Sequence, residues 1–382
     1  MVGGRVRIRL PVPAPPGGRP PRMSLLPDAE RFRRLIDGAS TGAVAAAARL
    51  GLAALAVPYG VGVAIRNVGF DRGVIRRHAV GVPVISVGNL TLGGTGKTPL
   101  VAWVARLVRR HGITPAIVSR GYGARPGTTS DEAAELAVVL DGILHIADRN
   151  RVAAATRAAE QGAGAVILDD GFQHRRLGRD LDIVAIDATD PFGCDHLFPR
   201  GLLREPLASL ERADAVVLTR ADAVDETRRA EIRHRFETAC RGRTPAVWAE
   251  ATHAAVRLRS WDGAERPVGD LAHRRVVACA AIGNPAAFRR TLATLHADIA
   301  AFRSLPDHHA YVADDVERLA DDVRRSDAAL VATTLKDLVK LRRTEIAGRP
   351  LVAVEIELRV SLGRPELEQA IGGAITGDRS DP

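Results

Sequence analysis

Aromatic residues make up only 4% of this 382-residue sequence, and it holds only three cysteines. Cys194, Cys240 and Cys279 lie far apart and show no metal-ligand spacing. They read as reduced, mostly structural thiols of a cytoplasmic-side protein. The shortage of aromatics matters beside a formal charge of +9 and a pI near 10.3. Such a balance invites acidic partners: nucleic acid, anionic lipid or phosphorylated substrates. No basic patch is interleaved with aromatics and no recognition helix stands out, so nucleic acid is not an expected partner. There is no internal repeat, and no apolar run with a cleavage site makes a signal peptide of the N-terminus. Residues 1–22, rich in Gly, Pro and Arg, cannot bury a core and are expected to be disordered. The length of the chain exceeds one small core and suits two domains.

Residues 42–65 are almost entirely Ala, Val, Leu and Gly, nearly long enough to span a bilayer. Arg49 and the run Pro58-Tyr59-Gly60 are expected to break the segment, which argues against a transmembrane helix. A buried or interfacial helix pair is expected instead, with Arg66, Arg72, Arg76 and Arg77 placed to meet phosphate headgroups. A helix packed on the core fits the same composition, and both readings stand at this point.

The most informative stretch is Asn89-Leu90-Thr91-Leu92-Gly93-Gly94-Thr95-Gly96-Lys97-Thr98-Pro99. An apolar strand-like run, 82–88, precedes it and a helix-like run, 100–108, follows. Strand, glycine loop, Lys-Thr and helix form a phosphate-binding loop. Gly93, Gly94 and Gly96, with Thr95, let backbone N–H groups turn toward an anion at the positive end of a helix. Lys97 is then expected to reach the β- and γ-phosphates of ATP, and the Thr98 hydroxyl to hold Mg²⁺. The first glycine of the usual spacing is replaced by Thr91.

Beyond the loop, strand-like runs at 116–119, 144–147, 165–168, 183–186 and 215–219 alternate with Ala-rich amphipathic stretches. A second set follows at 276–282, 299–303, 329–333 and 351–358. This pattern predicts an α/β protein: a P-loop, doubly wound sheet domain and a second, smaller α/β domain. The expected divisions are an N-terminal interfacial segment 23–78, a P-loop domain 79–245, a linker 246–265 and a C-terminal domain 266–372. Ligands of such sheets sit at the carboxyl ends of strands. There Asp169-Asp170 closes an apolar run, and one acid at such a place holds Mg²⁺ or orients the nucleophile. His174 in the following turn is expected to make an ordinary hydrogen bond. Arg120, Arg149 and Arg204, at or near strand ends, are candidate phosphate or substrate clamps, since Arg grips phosphate bidentately.

Seven motifs in chain order go further. They are Ser86-Val87-Gly88-Asn89-Leu90, the phosphate loop, Ser119-Arg120-Gly121-Tyr122, Asp169-Asp170-Gly171-Phe172-Gln173-His174, Leu203-Arg204-Glu205-Pro206-Leu207, Pro306-Asp307-His308 and Thr333-Thr334-Leu335-Lys336-Asp337. Together, over about residues 40–358, they resemble the tetraacyldisaccharide 4'-kinases of lipid A biosynthesis. The resemblance implies ATP-dependent phosphorylation of the 4'-hydroxyl of a tetraacyldisaccharide 1-phosphate. It implies a peripheral enzyme on the cytoplasmic face of a bacterial inner membrane, touching lipid through residues 42–77. A glycolipid substrate and a monomer are expected. Family roles carried over are Lys97 and Thr98 for ATP and Mg²⁺, with Asp169, Asp170 and Glu205 around metal and phosphates. A catalytic Asp matches Asp131 in Ser130-Asp131-Glu132-Ala133, where the flanking Gly and Pro of the family motif are missing. It works with His308. The rival reading is a P-loop GTPase switch or metal-insertion chaperone. It rests on Val217-Leu218-Thr219-Arg220-Ala221-Asp222, which resembles a guanine-reading loop with Arg220 in place of its Lys.

Overall fold

The computed structural model describes residues 29–121 and 131–377. The disorder expected for residues 1–22, and Tyr122 and Ser130 of the motifs, fall outside the described residues. Helices α1 (Ala29–Ile36) and α2 (Ala43–Asp71) come first. There follow β1 (Val84–Asn89), α3 (Lys97–Arg110), β2 (Pro115–Ser119), α4 (Asp131–Val139), β3 (Leu144–Ala147) and α5 (Arg151–Glu160). Next come β4 (Ala165–Asp169), β5 (Leu181–Asp187), β6 (Ala215–Thr219), α6 (Glu226–Ala239), β7 (Val247–Arg259) and the short β8 (Glu265–Arg266). The chain continues through β9 (Arg275–Ala280), α7 (Pro285–Thr294), β10 (Asp298–Ser304), α8 (Ala313–Ser326) and β11 (Leu330–Thr334). It ends with α9 (Leu335–Leu341), β12 (Glu345–Ile346), β13 (Arg349–Leu362) and α10 (Arg364–Thr376).

All strands join one sheet in the order β10-β9-β11-β13-β7-β6-β5-β1-β4-β2-β3, with β8 beside β7 and β12 beside β13. Along that path every pair is parallel except β13 with β7. This is the mainly parallel, doubly wound α/β fold that the alternation predicts. The residues 246–265 read from sequence as a linker are mostly strand, and β7 pairs with β13 from Glu250 opposite Leu362 to Arg259 opposite Ala353.

Strand alternation decides which helix covers which face. Ile85, Val87, Ile167, Ile183, Ala185 and Val217 join the core of α3 and α10. Their neighbours in sequence, Val84, Val166 and Leu168, pack with the alanines of α5, while Val184, Ile186, Val216 and Leu218 pack under α6. Both faces are therefore apolar, as a parallel sheet covered on both sides requires. Helix α3 buries Leu100, Val101, Val104, Ala105 and Val108 at helical spacing. Each such buried Leu or Val contributes about 1.5–3 kcal/mol, so the element that carries Lys97 is firmly seated.

The first helix pair departs from expectation. Neither Arg49 nor Pro58 breaks α2, which runs unbroken for 29 residues, about 44 Å. Pro58 lacks the N–H that would bond to the Ala54 carbonyl, yet the flanking turns hold. Arg49 turns its guanidinium back to the carbonyl of Ser40, at 2.8 Å. Tyr59, Val63, Arg66, Asn67 and Phe70 recur at helical spacing and face the protein: Val63 and Phe70 are buried, and the Tyr59 hydroxyl donates to the Arg204 carbonyl at 2.9 Å. Leu50, Val57, Val61, Ile65 and Val68 recur on another face and are exposed, Leu50 by 72% and Ile65 by 68%. The helix is long and apolar enough to cross a membrane.

Candidate active site

β1 ends at Asn89 and α3 begins at Lys97, with the phosphate loop between them. The Asn89 amide donates to the Thr91 carbonyl (2.6 Å) and to Thr95 Oγ1 (3.1 Å). Thr219 Oγ1 donates to the Thr95 carbonyl at 2.8 Å, and Arg220, ion-paired with Asp187, donates to the Gly94 carbonyl at 2.9 Å. These bonds commit loop carbonyls to the protein, leaving the orphan N–H groups of the α3 N-terminus to meet an anion. Gly96 sits at φ 77°, and a Cβ there would lie 2.5 Å from Cε1 of His253, so only glycine fits. Arg220 thus grips the phosphate loop from the end of β6, which is how it differs from the base-contacting Lys of a guanine-reading loop.

Beside the loop, β4 pairs with β1 so that Asp169 stands opposite Val87. Asp169 is buried with no cation within ion-pair distance among the described residues, and burial pushes its carboxyl up to about 6. Asp170, in a left-handed conformation (φ 56°), turns the other way. Its oxygens meet Lys97 Nζ at 2.6 Å and Arg204 at 2.8 Å. Burial would raise its pKa, but Lys97 and Arg204 hold it far below the usual carboxylate range. Lys97 also donates to Asn89 Oδ1 at 3.2 Å.

Glu205, fully buried, accepts from Arg66 (2.7 Å), Asn67 (2.9 Å) and Arg212 (2.9 Å). Burial alone would raise its pKa, but Arg212, Asn67 and Arg66 hold the carboxylate charged. Where the family roles give Asp170 and Glu205 to metal and phosphates, their oxygens are here taken by cations and an amide. Glu205 ties α2 to the sheet, one residue from the Arg204 that holds Asp170. No group of three His, Cys, Asp or Glu side chains among the described residues could hold a metal ion.

The structure brings Asp131 and His308 together, although 177 residues separate them in sequence. His308 Nδ1 lies 3.3 Å from Asp131 Oδ2, and Nε2 lies 3.4 Å from Glu132 Oε1 and from Lys336 Nζ. Lys336 also bonds to Asp307 at 2.9 Å, and Lys340 lies 3.6 Å from Asp131. Hydrogen bonding to Asp131 raises the His308 pKa above 6.5, against burial and the Lys336 charge. Burial pushes the Asp131 carboxyl up, and its bond to His308 with the nearby Lys340 outweighs that and lowers it. His308 is itself left-handed (φ 61°), local strain of the kind found at functional sites.

One bare glycine joins the two constellations. A Cβ on Gly283 would lie 2.7 Å from the Gly94 amide and 3.3 Å from Asp307 Oδ2. The phosphate loop and the loop carrying His308 therefore touch the same backbone.

Of the candidate clamps, Arg204 is engaged with Asp170, whereas Arg120 and Arg149 are exposed. Sequence reasoning missed Asn89, which organises the loop, Asn67, which holds Glu205, and Lys336, which it quoted only as part of a motif; Arg66, expected to meet phosphate headgroups, pairs instead with Glu205. Sequence reasoning also missed Arg151, a buried arginine whose charge is supported by Asp170 and Asp169. Burial of a charged side chain at the first position of a helix leaves no periodic signal, so nothing local marks it.

Known proteins resemble this chain over most of its length. Residues 48–376 match the family described as "Tetraacyldisaccharide-1-P 4'-kinase". A tetraacyldisaccharide 4'-kinase of Anaeromyxobacter dehalogenans is 39% identical over 340 residues, covering 83% of this chain and 88% of the relative. One from Geobacter metallireducens is 39% identical over 339 residues, covering 84% of this chain and 96% of that protein. Among solved structures, LpxK from Aquifex aeolicus in complex with ATP superposes with a TM-score of 0.66 at 29% identity, over 86% of this chain and 99% of that one. With the phosphate loop, paired acids and Asp–His pair all present, this chain belongs to the tetraacyldisaccharide 4'-kinase family.

Proposed function

We propose that this chain transfers the γ-phosphate of ATP to the 4'-hydroxyl of a tetraacyldisaccharide 1-phosphate, with His308 as the base. The contact of Gly283 with both Gly94 and Asp307 carries the reading, because it puts a base-bearing loop against a phosphate loop. With Nδ1–H donated to Asp131, His308 keeps Nε2 as its basic nitrogen. That nitrogen would take the proton of the sugar hydroxyl as the hydroxyl oxygen bonds to phosphorus. Negative charge on imidazolium's partner, Asp131, stabilises the protonated state. Lys97 would leave Asp170 for the β- and γ-phosphates, and Arg204 would keep Asp170 charged when it does. Because phosphoryl transfer is loose, most of the acceleration comes from holding the two substrates in line.

The residues fit a Mg²⁺ ion held mainly by phosphates and water. Asp169, buried without a cationic partner, and the Thr98 hydroxyl are the protein groups that would hold it. Bound there, the ion would neutralise charge developing on the phosphates.

The exposed apolar face of α2 fits a bilayer surface, with Arg72, Arg76 and Arg77 following it toward headgroups. We place the enzyme peripherally on the cytoplasmic face of the inner membrane, as a monomer. The division into a P-loop domain, 79–245, and a smaller domain, 266–372, places the two reacting groups on different units, so relative motion would open and close the site.

His308→Ala tests the assignment: kcat for transfer should fall about 10²–10⁴-fold with the KM for ATP nearly unchanged. A rise in the KM for ATP alone would remove His308 from the base role.

A further inference from the structure

Midway along its width the sheet narrows to a ribbon of two strands. β7 pairs with β6 only over residues 247–250, and with β8 only at Leu258 and Arg259. β13 pairs with β11 only over residues 351–354. In between, residues 251–257 of β7 and 355–362 of β13 have only each other as strand partners among the described residues. The register of that ladder shifts twice, between Glu355 and Ile356 and between Val360 and Leu362. Such irregularities bend and twist a strand pair. The ribbon is the only part of the sheet that joins the strands around the phosphate loop to those around the His308 loop.

One side chain of the ribbon reaches the phosphate loop. His253 stands opposite Leu358, and directly opposed residues share a face of the ladder. Leu358 and Ala251 on that face pack in the core of α3. His253 lies at the start of the same helix: a Cβ on Gly96 would meet its ring edge, 2.5 Å from Cε1 and 2.7 Å from Nε2. Thr219, whose hydroxyl holds the Thr95 carbonyl, is the next neighbour, at 3.4 Å. The histidine is partly exposed, yet its Nε2 is enclosed and has no hydrogen-bond partner among the described residues. Burial, with the Arg220 charge, pushes the ring's pKa down to about 3, so it is neutral at pH 7. A neutral imidazole still carries one donor and one acceptor, and an enclosed nitrogen left unmatched is costly.

We propose that His253 is a positioning residue that couples the phosphate loop to the ribbon. Its Nε2 gains a hydrogen bond to the loop backbone when the loop closes on ATP, and the ribbon moves with the ring to bring the His308 loop to the site. The contact of Gly283 with Gly94 meets the same loop from the second half of the sheet, so the loop is held between the two. Coupling of this kind is a difference in nucleotide affinity between two arrangements of the ribbon. The proposal rests on the kinase reading above and deepens it.

The test is hydrogen exchange of the full chain, without and with ATP and Mg²⁺, for wild type, H253L and H253Q. ATP affinity, thermal unfolding and phosphate transfer are measured beside it. Exchange is read with ATP alone, so its outcome stands apart from whether the wild type phosphorylates the acceptor. In the wild type, ATP should slow exchange in residues 251–257 and in the loop 305–309. H253L should bind ATP within about threefold of wild type, yet lose most of the slowing at 305–309 and about tenfold in kcat. It should unfold no lower, because it removes an enclosed polar atom that nothing in the free protein matches. H253Q, which returns an amide to that place, should recover part of both losses. A purely structural histidine would move stability or ATP affinity and leave the ATP-dependent slowing intact. Unchanged exchange at 305–309 in the wild type overturns the proposal. So does slowing that survives in H253L, or an H253L that loses its fold or its ATP binding.

Discussion

Replacing Asp131 with Asn removes one charge from a pair whose geometry is on view. Nδ1 of His308 and Oδ2 of Asp131 are 3.3 Å apart, and their side chains are 29% and 27% exposed, so solvent screens the pair only in part. A hydrogen bond to a charged group contributes about 1.5–3 kcal/mol, which puts the loss in kcat/KM at roughly 10–150-fold. The pH dependence adds a sign. His308 acts when neutral, and its pKa lies above 6.5 chiefly through the bond to Asp131. Wild-type kcat/KM should therefore rise with pH through a midpoint above 6.5. In D131N the plateau should fall while the midpoint moves to lower pH, because the imidazolium has lost its main support. Asp307 and Glu132 still favour the charged ring and Lys336 opposes it, so they set how far the midpoint moves. The assay is initial-rate transfer from pH 5.5 to 9 at limiting acceptor. A lowered plateau with an unmoved midpoint would show that Asp131 does not act through His308, and the pairing would be structural only.

Gly96→Ala should lower stability by about 2–5 kcal/mol, from left-handed backbone and overpacking against His253, read by denaturant unfolding; a neutral effect would mean that ring moves freely. Asp169→Asn should abolish transfer yet stabilise the fold at pH 7. The folded carboxyl titrates near 6 against an ordinary 3.8, so its burial as an anion costs about 3 kcal/mol. That cost grows as pH rises from about 4 to 6 and is absent below, so the gain in Tm should vanish at pH 4. Leu50→Glu with Ile65→Glu on the exposed face of α2 should reduce co-sedimentation with anionic vesicles at least tenfold, since each buried apolar side chain contributes about 1.5–3 kcal/mol. Unchanged sedimentation would place the lipid contact elsewhere.

Much of this was legible because its signals are local. Strand runs, the glycine loop and the spacing of α3 follow from period and propensity, and β1 through β6 fall within a few residues of the expected runs. The pairing of Asp131 with His308 was legible only through family resemblance, since no local pattern links residues so distant in sequence. What stayed hidden depends on tertiary contact. Glu205 reads as a site acid, but Arg66 and Asn67 come to it from a helix far earlier in the chain. Helix α2 was expected to break at Pro58, and it survives with Tyr59, Val63 and Phe70 seating the stretch after that residue on the protein and Arg49 tying the stretch before it to the Ser40 carbonyl. His253 explains why Gly96 must be glycine, yet it sits on a strand beyond the P-loop run.

The most direct test is transfer of label from γ-labelled ATP to a tetraacyldisaccharide 1-phosphate in detergent micelles with Mg²⁺, followed by phosphorus NMR of the product. The account predicts a second phosphate on the 4'-oxygen, lost in Lys97→Ala. Label released only as inorganic phosphate, or transfer surviving Lys97→Ala, would contradict it.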